Sequence, residues 1–155
     1  MKYRITTGLS VGEIRDAISE NTEPIVRFRN YLKNKHKMFE GYVSGNNFTL
    51  KNIETYRSIA STTIKGKIIE KGNYNTVEFS AIYPWGNIIF YGVFFLLFLF
   101  MNYDKREGFS LVSLLIVVAL GFVIFIFIRG KYIMDAETAR DKIFKIIKGN
   151  SIENI

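Results

Sequence analysis

His36 is the only histidine of the chain, in Lys33-Asn34-Lys35-His36-Lys37, and nothing local forms an acid–base or ligand set around it. A histidine that moves protons or holds a metal needs a carboxylate or second ligand at reachable spacing, so His36 reads as a solvated loop residue. The chain has no cysteine, which removes thiolate nucleophiles, thiolate metal sites and disulfides together. Its 14 acidic residues stand singly, with no paired Asp/Glu motif and no Glu-x-x-His. Gly8, Gly12, Gly41, Gly45, Gly66 and Gly72 fall in turns and strands rather than in a phosphate-cradling loop. The sequence therefore predicts no catalytic residue, no cofactor and no metal, in a protein that is not an enzyme.

What it offers instead is positive charge. The net charge is +7, and Arg27, Arg29, Lys33, Lys35 and Lys37 crowd one polar stretch. Clustered cations near a membrane attract anionic lipid headgroups, so these five are the candidate contacts for lipid or for a partner protein. Nucleic acid is the weaker explanation, because the remaining basic residues are scattered and match no recognition motif.

The elements that position this charge are organised around two apolar runs. The first runs from Ile88 to Met101; the second, Phe109 to Ile128, contains no charge and only Ser110 and Ser113 as polar side chains. A bilayer core takes about 20 mostly apolar residues in a helix. The second run meets that length alone, and the first meets it with flanking residues in the headgroup zone. Tyr83, Trp85 and Tyr103 suit that zone, where aromatic side chains with a polar edge accumulate. A buried soluble helix rarely stays apolar on every face for five turns. Spans at about 85–103 and 109–128 are thus expected, joined by the seven-residue connector Asn102 to Gly108. Gly92, Gly121, Ser110 and Ser113 fit close contact between the two helices, or an oligomer interface. No ionisable side chain lies within either span, which argues against an ion relay.

Basic residues set the orientation. Residues 1–85 carry thirteen Lys/Arg, the connector two and residues 129–155 six, with net charges of +5, 0 and +2. Arg129 and Lys131 directly after the second span weigh most under the positive-inside rule, although Lys105 and Arg106 oppose them. The expectation is a multi-pass protein of the cell (inner) membrane with both termini cytoplasmic. Met1 to Thr7 has no signal-type apolar core, so the spans themselves direct insertion.

Along the chain, Tyr3 to Thr7 alternates as a short strand. Ser10 and Glu13 form a capping-box pattern for a helix to about Asn21, with Val11, Ile14 and Ile18 on one face. Ile25 to Lys33 fits strand or helix, and strand is preferred. Two hairpins follow, turning at Gly45-Asn46 and Gly72-Asn73, with Phe39, Gly41 and Val43, then Ile64, Gly66 and Ile68, then Val77, Phe79, Ala81 and Tyr83 on the apolar face. Beyond the second span, Asp135 is expected to cap a helix to about Lys148 that ends at Gly149-Asn150. The Asn47-Phe48-Thr49 sequon carries no meaning in a cytosolic segment.

The fold class expected is an α+β membrane protein, a small antiparallel β-sheet domain with flanking helices plus a two-helix transmembrane hairpin. Its parts are a cytosolic unit at 1–84, the hairpin at 85–129, and a cytosolic amphipathic helix at 130–155 that packs on the first unit or lies in the membrane interface.

Phe39-x-Gly41-x-Val43, Asn47-Phe48 and Ile64-x-Gly66-x-Ile68, followed by two spans, resemble a group of small uncharacterised bacterial membrane proteins. These pair a β-rich cytosolic portion with a transmembrane hairpin. The stretch Tyr56 to Ser61 lacks the Asn and Pro that the group tends to carry there. The resemblance implies the fold and supplies no activity. Two functions stay open: a membrane-anchored, non-catalytic binding or accessory module engaging anionic lipid or a partner protein, and an oligomeric membrane effector or pore-forming subunit built by self-association.

Overall fold

The first helix begins where its cap is written. Ser10 is extended, its hydroxyl accepts the Glu13 amide at 3.3 Å, and the Glu13 carboxylate accepts the Ser10 amide at 2.8 Å. This reciprocal pair satisfies two otherwise orphaned donors and starts α1 (Val11–Glu20). Ile14 and Ile18, four residues apart, are fully buried on its inner face.

The computed structural model describes residues 1–26, 37–53, 62–72, 74–83, 85–101 and 111–155. Within them the fold is α+β. One seven-stranded mixed sheet contains β1 (Lys2–Thr7), β2 (Thr22–Glu23), β3 (Phe39–Ser44), β4 (Asn47–Asn52), β5 (Thr63–Lys71), β6 (Tyr74–Ile82) and β7 (Ser151–Asn154). Their order across the sheet is β2-β3-β4-β5-β6-β1-β7. Two further helices are α2 (Trp85–Met101) and α3 (Leu111–Ile146).

The hairpins turn where the sequence places them, β3–β4 at Gly45-Asn46 and β5–β6 after Gly72. Alternation then gives the sheet a dry face and a wet one. On the dry face the register lines up Tyr3, Phe79, Gly66 and Phe48 across four neighbouring strands. Gly66 is required there: a Cβ on it would lie 2.2 Å from Phe48 Cζ and 2.7 Å from Phe79 Cβ. The two aromatic side chains fill the space that it leaves.

α1 and the last four turns of α3 cover this dry face. Ala136, Ala139, Ile143 and Ile147 are fully buried in one cluster with Ile14, Ile18 and the inward strand residues. The two alanines let the helix approach the sheet closely. α3 ends with the Gly149 amide donating to Phe144 O at 2.9 Å while Lys148 takes a left-handed φ of 48°. That is a Schellman-type stop with lysine where glycine is usual.

Several expectations are corrected. The sheet is not purely antiparallel, because β2 runs parallel to β3, with Thr22 beside Phe39. Ile25 and Val26 lie outside any strand, and 27–33 lies outside the described residues. β7 adds an edge strand beside β1. The largest change concerns Asp135, which caps no helix. α3 runs unbroken for 36 residues, about 54 Å, through Arg129, Gly130 and Asp135. Glycine in a helix interior costs only about 1 kcal/mol, which anchoring on both sides overrides.

The two halves of α3 face different surroundings. Its N-terminal half exposes Phe122, Phe125 and Phe127, the last 74% exposed, whereas its C-terminal half is a core helix. Among the described residues α3 is the one helix long and apolar enough to cross a membrane. α2 has 17 residues, and 102–110 lies outside the described residues.

Candidate functional site between the apolar helices and the sheet

The two apolar helices leave the sheet at one end, and aromatic rings gather there. β6 passes through Tyr83 into α2, while Tyr132 comes from α3 one turn beyond Ile128. The Tyr83 ring meets Trp85 edge-on at 5.4 Å and Tyr132 edge-on at 4.8 Å. The Tyr132 hydroxyl donates to Ala81 O at 3.0 Å, tying α3 to the last inward residue of β6. Burial raises the Tyr132 phenol above its ordinary value, with Tyr3 and Tyr83 adding to the shift, so it stays a neutral donor. Rings with one apolar and one polar end suit a membrane–water boundary.

Beside the rings lies a polar clasp. Lys131 Nζ pairs with Asp135 Oδ1 at 2.6 Å across one turn of α3, and the Thr62 amide donates to Asp135 Oδ2 at 3.3 Å. Asn52 Nδ2 donates to the Asp135 carbonyl at 2.9 Å, and Lys142 Nζ reaches Asn52 Oδ1 at 3.4 Å. A buried carboxylate survives only when paired and hydrogen-bonded, and Asp135, 5% exposed, has both kinds of partner. The clasp joins α3 to the end of β4 and the start of β5. Its chemistry is structural, because each of these groups is turned toward another part of the chain.

The wet face of the sheet carries charge. Glu78 accepts from Arg4 at 2.8 Å and faces Lys67 at 3.6 Å, and Arg4 also reaches Glu153 at 3.4 Å. The hydrogen bond from Arg4 first, with Lys67 adding to it, holds the Glu78 carboxyl below its ordinary range against the opposing effect of burial. In the adjacent row Lys2, Ser80 and Lys65 face outward from β1, β6 and β5.

Of the five basic residues singled out in the sequence, Lys37 is described. It is exposed beside the start of β3, and its Nζ donates to Thr22 O at 3.1 Å. Arg27, Arg29, Lys33, Lys35 and His36 lie outside the described residues. Among the described residues no group of His, Cys, Asp or Glu could hold a metal. Ser110 also lies outside them. Gly121 packs against Phe95 of α2, whose Cε2 lies 3.2 Å from where a Cβ would stand, which is contact within the chain. The two helices enclose an apolar cleft of about 430 Å³ lined by Gly92, Phe94, Leu120 and Ile124 among others.

Sequence reasoning missed the Lys131–Asp135 clasp and the Lys2–Ser80–Lys65 row. The first had a signal in the i,i+4 spacing of opposite charges. The second needed the register between strands, which alternation alone does not fix. No protein-family model matches the chain, and no significant match is found among curated proteins or solved structures.

Proposed function

We propose that the chain is a bacterial integral membrane protein in which α2 and α3 form a transmembrane hairpin. The hairpin holds a non-catalytic binding or accessory module at the inner leaflet, where it engages anionic lipid or a partner protein. One observation carries this reading. Residues before α3 (β1 to β6) and residues of its second half share a single core. A chain that crosses a bilayer through the first half of α3 must then cross again between Ile82 and Leu111, or the sheet would be divided between two compartments. α2 is the apolar segment in that interval, about 26 Å long as a helix against a core of about 30 Å. Slight local thinning of the bilayer makes up the difference.

Arg129 and Lys131, at the sheet end of the span, favour the cytoplasmic side for the sheet and both termini. The basic series Arg27, Arg29, Lys33, Lys35 and Lys37 remains the contact that the sequence suggests. A pore-forming assembly has less support, since the described lining of the α2–α3 cleft is apolar.

The test uses single cysteines, which this cysteine-free chain permits without background labelling. In intact cells an impermeant maleimide should label K105C in the connector and leave E153C on the sheet unlabelled until the membrane is opened. Labelling of both positions from the same side would remove the hairpin, and release of the protein by alkaline carbonate would remove the membrane reading altogether.

A further inference from the structure

The wet face of the sheet sorts its charges into rows. In the row Arg4–Glu78–Lys67 the cations are answered by Glu78 and Glu153. The next row toward α2 runs Lys2–Ser80–Lys65 on adjacent strands. Lys2 and Lys65 are both exposed, and neither has an ion pair among the described residues. Adjacent strands lie about 4.8 Å apart, so the two lysines spring from backbones about 10 Å apart with the Ser80 hydroxyl between them. Together with Asn47, Lys67 and Glu78, whose carboxylate is already paired with Arg4 and Lys67, they line a shallow depression of about 370 Å³.

Two like charges at this spacing repel in the free protein, and an anion between them removes the repulsion. A phosphate group suits the place, because it offers charged oxygens to both ammonium groups and to the hydroxyl at once. What lies beside the row selects the kind of phosphate. Ile82, on the same face and about 7 Å further along β6, is 38% exposed, and Trp85, 65% exposed, then opens α2. Cations and a hydroxyl thus stand one headgroup's length from an apolar patch continuous with the apolar helices. A soluble phosphate has no use for that patch, whereas a phospholipid fits both parts.

We propose that Lys2, Ser80 and Lys65 form a subsite for the phosphate of an anionic phospholipid whose acyl region lies against Ile82 and the start of α2. The subsite rests on the reading of the chain as a membrane protein. It names the lipid contact at residues distinct from the basic series at 27–37.

The full chain, purified in detergent micelles, is titrated with phosphatidylglycerol and with phosphatidylcholine and read by native mass spectrometry. Wild type should retain phosphatidylglycerol in preference. K2Q/K65Q should weaken that retention about tenfold or more, at about one surface-lysine contribution per residue removed, and leave phosphatidylcholine unchanged. K71Q/K148Q, which removes two exposed lysines at the end of the sheet away from α2, should behave as wild type, and K2R/K65R should keep the preference. Equal phosphatidylglycerol retention by K2Q/K65Q and wild type overturns the subsite. So does displacement of the lipid by millimolar inorganic phosphate, which assigns the row to a soluble phosphate. Carbonate extraction of the membranes from which each variant is purified separates the two levels. A protein that stays inserted but ignores K2Q/K65Q loses only the subsite, and one that washes off loses the membrane reading together with it.

Discussion

Replacing Gly66 by alanine tests the packing of the dry face at its tightest point. The added Cβ would stand 2.2 and 2.6 Å from Phe48 Cζ and Cε2 and 2.7 Å from Phe79 Cβ. Carbon atoms rest at about 3.5–4.0 Å, so each contact is short by roughly 1 Å or more. Phe48 and Phe79 are 2% and 3% exposed and lack free space into which to retreat. Overpacking of this kind costs about 1–3 kcal/mol. Alanine recovers about 0.5–1 kcal/mol of the backbone entropy that glycine loses in a strand. The net expectation is a loss of about 1–2 kcal/mol, or about five- to thirtyfold faster hydrogen exchange at β5 and β6 amides that open globally. Exchange would be followed by mass spectrometry on the full chain in micelles. F48L removes the outer ring atoms responsible for the two shortest contacts, so in its background the alanine should cost less by at least about 0.5 kcal/mol. Exchange in G66A equal to wild type would refute the packing argument. Strictly additive effects of G66A and F48L would place the strain somewhere other than on Phe48.

Lys148 holds a left-handed φ of 48° with an exposed side chain, so K148G should raise the stability of the sheet domain by about 0.5–1 kcal/mol, read as a higher midpoint of thermal unfolding by circular dichroism. Glu78 titrates below its ordinary value in the folded state, chiefly through its hydrogen bond from Arg4. Its contribution is therefore fully present above the unfolded value of about 4.3 and is lost as pH falls through the lower folded one. E78Q should flatten the acid limb of the stability–pH profile, and an unchanged limb in E78Q would remove Glu78 as its source.

Local chemistry made much of this fold legible. Ser10 and Glu13 carry the whole geometry of a helix start within four residues, and the alternation in β3 to β6 marks both the inward face and the turns. What stayed hidden depends on partners distant in sequence. β7, Ser-Ile-Glu-Asn, shows little alternation and exists because β1 offers it an open edge. β2 has two residues and is a strand only because Phe39 and Glu40 lie alongside. Asp135 resembles a cap because aspartate before a helical pattern usually is one, and the same residue serves equally well as an i,i+4 partner for Lys131. Only the path of α3 distinguishes these roles. The Lys2–Ser80–Lys65 row follows the same rule: each residue is legible as outward-facing, and their meeting is a matter of register.

The continuity of α3 bears most on what this protein can do. A span joined to its domain by a flexible linker leaves the domain free to turn over the membrane. Here Ile128 is buried, Asp135, paired with Lys131, is clasped to the end of β4 and to Thr62 just before β5 within the next two turns, and Ala136 is already in the core. The second connection is as short, from Ile82 through Tyr83 to Trp85, with Tyr83 and Tyr132 in contact between the two. Two short tethers on different elements fix an orientation that one would leave open. The ends of β4 and β6 and the start of β5 therefore point toward the apolar helices, and the turns at Gly45-Asn46 and Gly72 point away. Where α3 crosses a bilayer, the wet face of the sheet then stands along the membrane normal with its lower rows nearest the headgroups. Arg4 and Lys67, higher up, are paired with acids within the fold, while Lys2 and Lys65, one row lower, have no ion pair among the described residues.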